Sequence, residues 1–131
     1  MIRGIGVDTV ETRRLQAWQN DEGLLRRYFH EDEIAAIRRK GSSMVLSLAA
    51  RFAAKEAFGK ALGTGLAGLE LRDIVVMNDA HGKPELTLAG SAQAALSRIG
   101  GTRVFLSLTH EQYNAIAMVV IEGDDPSPDA R

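Results

Sequence analysis

Ser43-Met44-Val45-Leu46-Ser47-Leu48-Ala49-Ala50-Arg51-Phe52-Ala53-Ala54-Lys55-Glu56-Ala57-Phe58-Gly59-Lys60-Ala61-Leu62 reads as one helix, the longest of the chain. Ser42 or Ser43 serves as its N-cap, and Gly63-Thr64-Gly65 stops it. Upstream, residues 11–19 and 24–39 also carry helical spacing, with Leu15 and Trp18 three apart and Ile34 and Ile37 repeating that interval. Glu31, Asp32 and Glu33 fall where acidic side chains suit the positive end of a helix dipole. Before these helices, residues 2–8 form a short strand with Ile5 and Val7 as apolar positions and Gly4 and Gly6 as points of close backbone approach.

Downstream of Gly65 the period changes. Ile74-Val75-Val76-Met77 and Glu85-Leu86-Thr87-Leu88 are strand-like and flank Asn78-Asp79-Ala80-His81-Gly82-Lys83-Pro84, a run of turn residues, so they predict a hairpin. Ser91 to Ile99 reads as a helix, followed by strands at about 102–108 and 115–122. Helices first and mostly antiparallel strands afterwards predict an α+β fold in a single domain over residues 1–122. The polar residues 123–131, with two prolines, are expected to form a frayed tail.

Composition narrows the function. The chain has 131 residues, no cysteine, 45% hydrophobic and 25% charged residues, which fits an ordinary globular domain and excludes disulfides, thiolate metal sites and cysteine nucleophiles. No apolar run reaches the roughly 20 residues that cross a bilayer, and Met1-Ile2-Arg3-Gly4-Ile5-Gly6 does not begin a secretory signal. The expectation is a cytoplasmic protein without a membrane partner. Net charge is −1, yet residues 1–60 hold 11 Lys/Arg against 8 Asp/Glu, while residues 61–131 hold 5 against 9. That balance argues against general nucleic-acid binding and leaves room for a local basic face toward one acidic partner.

Three groups of residues can carry chemistry. Asp8 ends an apolar, glycine-containing strand, where it either caps a helix beginning near Glu11 or ligates a hard cation; a buried charge without a partner would cost several kcal/mol or more. On the long helix, Glu56 and Lys60 lie one turn apart, as a solvated ion pair or as part of a site that small Ala53, Ala54, Ala57 and Gly59 open to a close neighbour. Ser107-Leu108-Thr109-His110 ends a strand, with His110 either a structural hydrogen-bonder or a catalyst. Gly82-Lys83-Pro84 suits a turn that leaves Lys83 available to a phosphate. A hydrolase lacks support, since no Gly-x-Ser-x-Gly elbow is present, and Gly63-Thr64-Gly65 lacks the lysine of a phosphate-binding loop.

Taken together and in this order, Gly4-Ile5-Gly6-Val7-Asp8, Arg51-Phe52-Ala53-Ala54-Lys55-Glu56-Ala57, Lys60-Ala61-Leu62-Gly63-Thr64-Gly65, Gly82-Lys83-Pro84 and Ser107-Leu108-Thr109-His110 resemble the holo-acyl-carrier-protein synthase family, the small single-domain phosphopantetheinyl transferases. The resemblance implies transfer of 4'-phosphopantetheine from coenzyme A to a serine of an acyl carrier protein, with magnesium required and adenosine 3',5'-bisphosphate leaving. It also implies a homotrimer with sites between subunits. By the same resemblance, Asp8 and Glu56 match the metal ligands; Asp8, Glu56, Lys60, Lys55 and His110 match catalytic positions; and Lys60, Lys83, Pro84, Thr109 and His110 match coenzyme A contacts. Arg14 and Arg27 match a basic surface for the acidic carrier. The sequence departs from the family at Thr9 and Thr12, where bulkier apolar side chains are usual, and at Asp21, where a basic residue would serve the carrier.

Overall fold

Residues 1–125 are described by the computed structural model. In chain order they form β1 (Ile2–Glu11), a 3-10 segment (Thr12–Asn20), α1 (Glu22–Tyr28), α2 (Glu31–Arg38), α3 (Met44–Leu62), β2 (Ile74–Asn78), β3 (Pro84–Leu88), α4 (Gly90–Arg98), β4 (Arg103–His110) and β5 (Asn114–Glu122). The α+β class expected from the sequence is the class observed.

The central element is α3, the helix read from residues 43–62. Leu48, Ala49, Ala53, Ala54, Ala57, Phe58, Ala61 and Leu62 are buried, so the helix meets neighbours on nearly every side and shows no single apolar stripe. Gly63 ends it at φ +85°, donating its N–H to the Lys60 carbonyl, a left-handed cap that glycine adopts without steric cost. Ser43 lies in a preceding 3-10 turn and makes no side-chain cap bond, contrary to expectation.

Against α3 lies an antiparallel sheet in the order β1-β5-β4. Alternate residues of the middle strand point inward, Ala115, Ala117, Val119 and Ile121, while Ile116 and Met118 point outward. Gly4 and Gly6 permit backbone contact between β1 and α3: a Cβ on Gly4 would fall 1.9 Å from the Ala61 carbonyl oxygen, and one on Gly6 would fall 2.0 Å from that of Ala57. The β2–β3 hairpin forms as predicted, with Val76 opposite Leu86.

Three boundaries differ from the sequence reading. β1 runs to Glu11 instead of stopping at Asp8, because Glu11 pairs with Asn114 and the Thr12 N–H donates to the Tyr113 carbonyl at 2.8 Å. The run at 24–39 is two helices, since Phe29 is extended and fully buried and His30 starts α2 with a capping box: its Nδ1 accepts from the Asp32 N–H, and its own N–H donates to Glu33. Of the expected tail, Gly123 is tied down by its N–H on the Met1 carbonyl at 2.8 Å, Asp124 accepts from Arg3 and Asp125 pairs with the Met1 ammonium, while 126–131 lie outside the described residues. Among the described residues no helix is long and apolar enough to cross a membrane.

Candidate active site

Asp8 faces inward from β1, an edge strand, and therefore points at α3 beside the sheet rim. It caps no helix. Its Oδ1 accepts from Lys60 Nζ at 2.7 Å, and the same ammonium donates to the Val7 carbonyl at 3.2 Å. Hydrogen bonding to Asp8, and then its charge, raise the proton affinity of Lys60 above the ordinary lysine value. Glu56, one turn before Lys60, is half-buried; burial first, and the Asp8 charge second, push its carboxyl above the usual range, while Lys60 and Arg14 pull it back. Residues 48 positions apart in sequence are thus electrostatic neighbours, because the glycine contact lays β1 along α3.

A raised acid favours its neutral form in the folded protein, so Glu56 contributes stability below its unfolded pKa and loses it as pH rises through the higher folded value. In its ionised form it opposes folding. Glu56→Gln is expected to raise the melting temperature at pH 8, which thermal unfolding checks. An unchanged or lower melting temperature would remove the electrostatic cost assigned here.

Lys55 is next to Glu56 but turns the other way, since neighbours on a helix point about 100° apart. It is fully buried, and its three N–H groups are directed at Glu33 Oε1 at 2.7 Å, the Leu71 carbonyl at 2.8 Å and the Ile74 carbonyl. The catalytic position expected for Lys55 is therefore not where its side chain lies. Asp8 and His110 lie apart within one chain. His110 ends β4, on the opposite edge of the sheet from β1, roughly 10 Å across two strand spacings.

Around His110 is a second group. A cleft of about 410 Å³ is lined by Lys40, Ser47, Arg51, Asn78, Pro84 and His110, among others. Its hairpin rim is built firmly: Asp79 Oδ1 accepts from the N–H groups of His81 and Lys83 at 2.8 and 2.9 Å, and Gly82 takes φ +83°. This fixes the exposed Lys83 and the adjoining Pro84 at the cleft mouth, whereas Thr109 faces out of the sheet. Arg51 was quoted in the sequence motif without a role. It is buried at the cleft wall, donating from Nε to the Val76 carbonyl at 3.2 Å and from Nη1 to Ser47. The signal available in the sequence was its spacing, one turn before Lys55 and one after Ser47.

Arg14 and Arg27 are exposed, and Arg14 is close enough to act on Glu56. Arg27 lies over the Tyr28 ring at 5.3 Å, Tyr28 stacks on Trp18, and Trp18 meets Phe52 of α3 edge-on. Thr12 is buried, with its N–H and hydroxyl both on the Tyr113 carbonyl, and Asp21 caps α1 through the Leu24 N–H. Two of the three departures from the family pattern thus have local structural work, and the third, Thr9, is exposed on β1. Among the described residues no three His, Cys, Asp or Glu side chains gather as a metal cluster.

Residues 4–115 match the model of the 4'-phosphopantetheinyl transferase superfamily. The chain is 55% identical over 123 residues to a holo-[acyl-carrier-protein] synthase of Treponema denticola, covering 94% of this chain and 100% of that one. In fold it resembles the holo-[acyl-carrier-protein] synthase of Neisseria meningitidis, with TM-score 0.83, 37% identity and coverage of 93% and 99%. It also resembles the Bacillus anthracis synthase in complex with CoA (3',5'-ADP), with TM-score 0.79, 36% identity and coverage of 95% and 99%.

Proposed function

The chain belongs to the 4'-phosphopantetheinyl transferase superfamily, and on that premise we propose that it is a holo-[acyl-carrier-protein] synthase, moving 4'-phosphopantetheine from coenzyme A to a serine of apo acyl carrier protein. The observation that carries this reading is the Asp8, Glu56 and Lys60 cluster at the rim of β1. In the reaction a bond forms between the serine oxygen and the β-phosphorus, the bond from that phosphorus to the bridging oxygen breaks, and adenosine 3',5'-bisphosphate leaves.

Two neighbouring carboxylates raise one another's need for positive charge, and oxygen donors in that number suit magnesium, so Asp8 and Glu56 would hold it. When bound there, the ion supplies charge neutralisation at the diphosphate and polarises the phosphoryl group. Lys60 adds a point charge on the same rim. Of the side chains considered for taking the serine proton, Lys55 has its donors committed inside the core, and His110 remains exposed. His110, Lys83 and Pro84, with Arg51, line or rim the cleft offered to the remainder of coenzyme A; Thr109 faces the opposite side of β4.

The two groups occupy opposite sheet edges, so a complete site takes one edge from each of two copies. This favours the homotrimer with sites between subunits. The outer face of the sheet agrees: Ile5 and Val7 of β1, Ile116 and Met118 of β5 and Phe105 of β4 are exposed, an apolar surface suited to a second copy. Arg14, which acts on Glu56, and Arg27, exposed on α1, form the surface for the acidic carrier. The expected setting is the cytoplasm.

Incubation with coenzyme A, magnesium and an apo acyl carrier protein is expected to add the mass of phosphopantetheine to the carrier, read by mass spectrometry. An unmodified carrier under metal-replete conditions rejects the reading.

A further inference from the structure

Glu33 and Lys55 are both fully buried, and their ion pair at 2.7 Å lies beneath the Phe29 ring, 4.9 Å from Lys55 Nζ. Taking two such charges out of water costs several kcal/mol per ion, and a well-packed apolar pair is commonly as stable or more so. Stability alone therefore gives a weak account of them. Their bonds are directional. Glu33 Oε1 also accepts from the His30 N–H at 3.0 Å, its Oε2 accepts from the Val76 N–H at 3.1 Å, and Lys55 holds the carbonyls of Leu71 and Ile74. The Val76 carbonyl in turn receives Arg51 Nε at 3.2 Å.

Val76 is thus held from both ends, its N–H by the Glu33 carboxylate and its C=O by the Arg51 guanidinium. Both side chains meet the edge of β2 turned away from β3, and Val76, Asn78 and Arg51 all line the cleft. Neither oxygen of Glu33 is replaceable by an amide without loss. A glutamine has one acceptor where two are used, and its NH₂ would oppose either the Val76 N–H or the Lys55 ammonium.

We propose that Glu33 and Lys55 are positioning residues for phosphopantetheine transfer: they fix β2 at Val76 so that Arg51 is held at the cleft wall to meet the anionic donor. The inference rests on the reading of the cleft as the donor site. Lys55 then acts from behind α3 through Arg51, never touching substrate, which accounts for a lysine adjacent to Glu56 that points into the core.

The test measures transfer with coenzyme A varied, in the parent, Glu33→Gln/Lys55→Met, Arg51→Ala and the triple variant. The double variant removes both charges of the pair together, leaves Arg51 its bonds to the Val76 carbonyl and Ser47, and is expected to fold. Its KM for coenzyme A should rise about tenfold while kcat stays within about threefold, the pattern of lost binding and not of lost chemistry. In the triple variant KM should be no higher than in Arg51→Ala, since effects routed through one side chain do not add. A parent that transfers nothing sinks the assignment of function. An active parent with unchanged KM in the folded double variant, or additive losses in the triple, overturns the positioning role alone. Glu33→Asp keeps the charge and shortens the reach to Val76, so it serves if the double variant does not fold. A raised KM there supports the proposal, and an unchanged KM overturns it.

Discussion

Asp8→Asn is expected to lower the rate of transfer by on the order of a thousandfold or more, about 4 kcal/mol of transition-state stabilisation. The substitution keeps the shape of the side chain and leaves the β1–β5 pairing through residue 8 intact. What it removes is charge. Asp8 is one of two carboxylates proposed to hold magnesium, and it anchors Lys60 at 2.7 Å, so both positive centres of the phosphate site are disturbed together. The expected result is a folded protein, with circular dichroism and melting temperature near those of the parent, whose kcat collapses even at high magnesium and saturating coenzyme A. Activity within threefold of the parent would leave Asp8 as an anchor for Lys60 and nothing more.

Gly6→Ala should act on the fold with comparable force. The added methyl would lie 2.0 Å from the Ala57 carbonyl oxygen and 2.7 Å from the Ala61 nitrogen, and both obstacles are backbone atoms of a buried helix. A flexible side chain could swing aside; α3 cannot. Overpacking usually costs about 1–3 kcal/mol, and a clash with rigid backbone belongs at the upper end or beyond, so we expect a loss of at least about 3 kcal/mol in denaturant unfolding. Because the same contact brings Asp8 to Glu56, any molecules that fold should also bind magnesium more weakly. A variant as stable as its parent would show that β1 can slide on α3.

The long helix, the hairpin and the α+β order were legible because local signals agree there with tertiary structure. Gly63 stops α3, and the turn residues around Asp79 and Gly82 close the hairpin. Where the reading failed, a distant partner decided. Glu11 carries a helical context, yet pairing with Asn114 draws it into β1, and that pairing is invisible before β5 is placed. The break at Phe29 follows from the burial of its ring and from the capping box between His30 and Glu33, in which histidine takes the place of a more usual serine or aspartate.

The site was legible in part for the same reason. Asp8, Glu56 and Lys60 converge because Gly4 and Gly6, already marked as close-approach residues, join their two elements. The resemblance placed Lys55 among the catalytic positions, whereas its ammonium is committed to Glu33 and two core carbonyls, partners that no local pattern reveals. Strand order sets His110 and Asp8 on opposite rims, and no local pattern encodes that order.

The outward face of the three-stranded sheet carries a price in water. Ile5 and Val7 are 58% and 56% exposed on β1, an edge strand among the described residues, and Phe105 and Met118 extend the same greasy surface. The proposed trimer would cover that surface, and a chain kept out of it by dilution would present the surface, with the open borders of β1 and β4, to any similar chain. Solitary copies should therefore lose solubility before they lose structure, and aggregation should compete with correct assembly whenever the protein is scarce of partners or made too quickly.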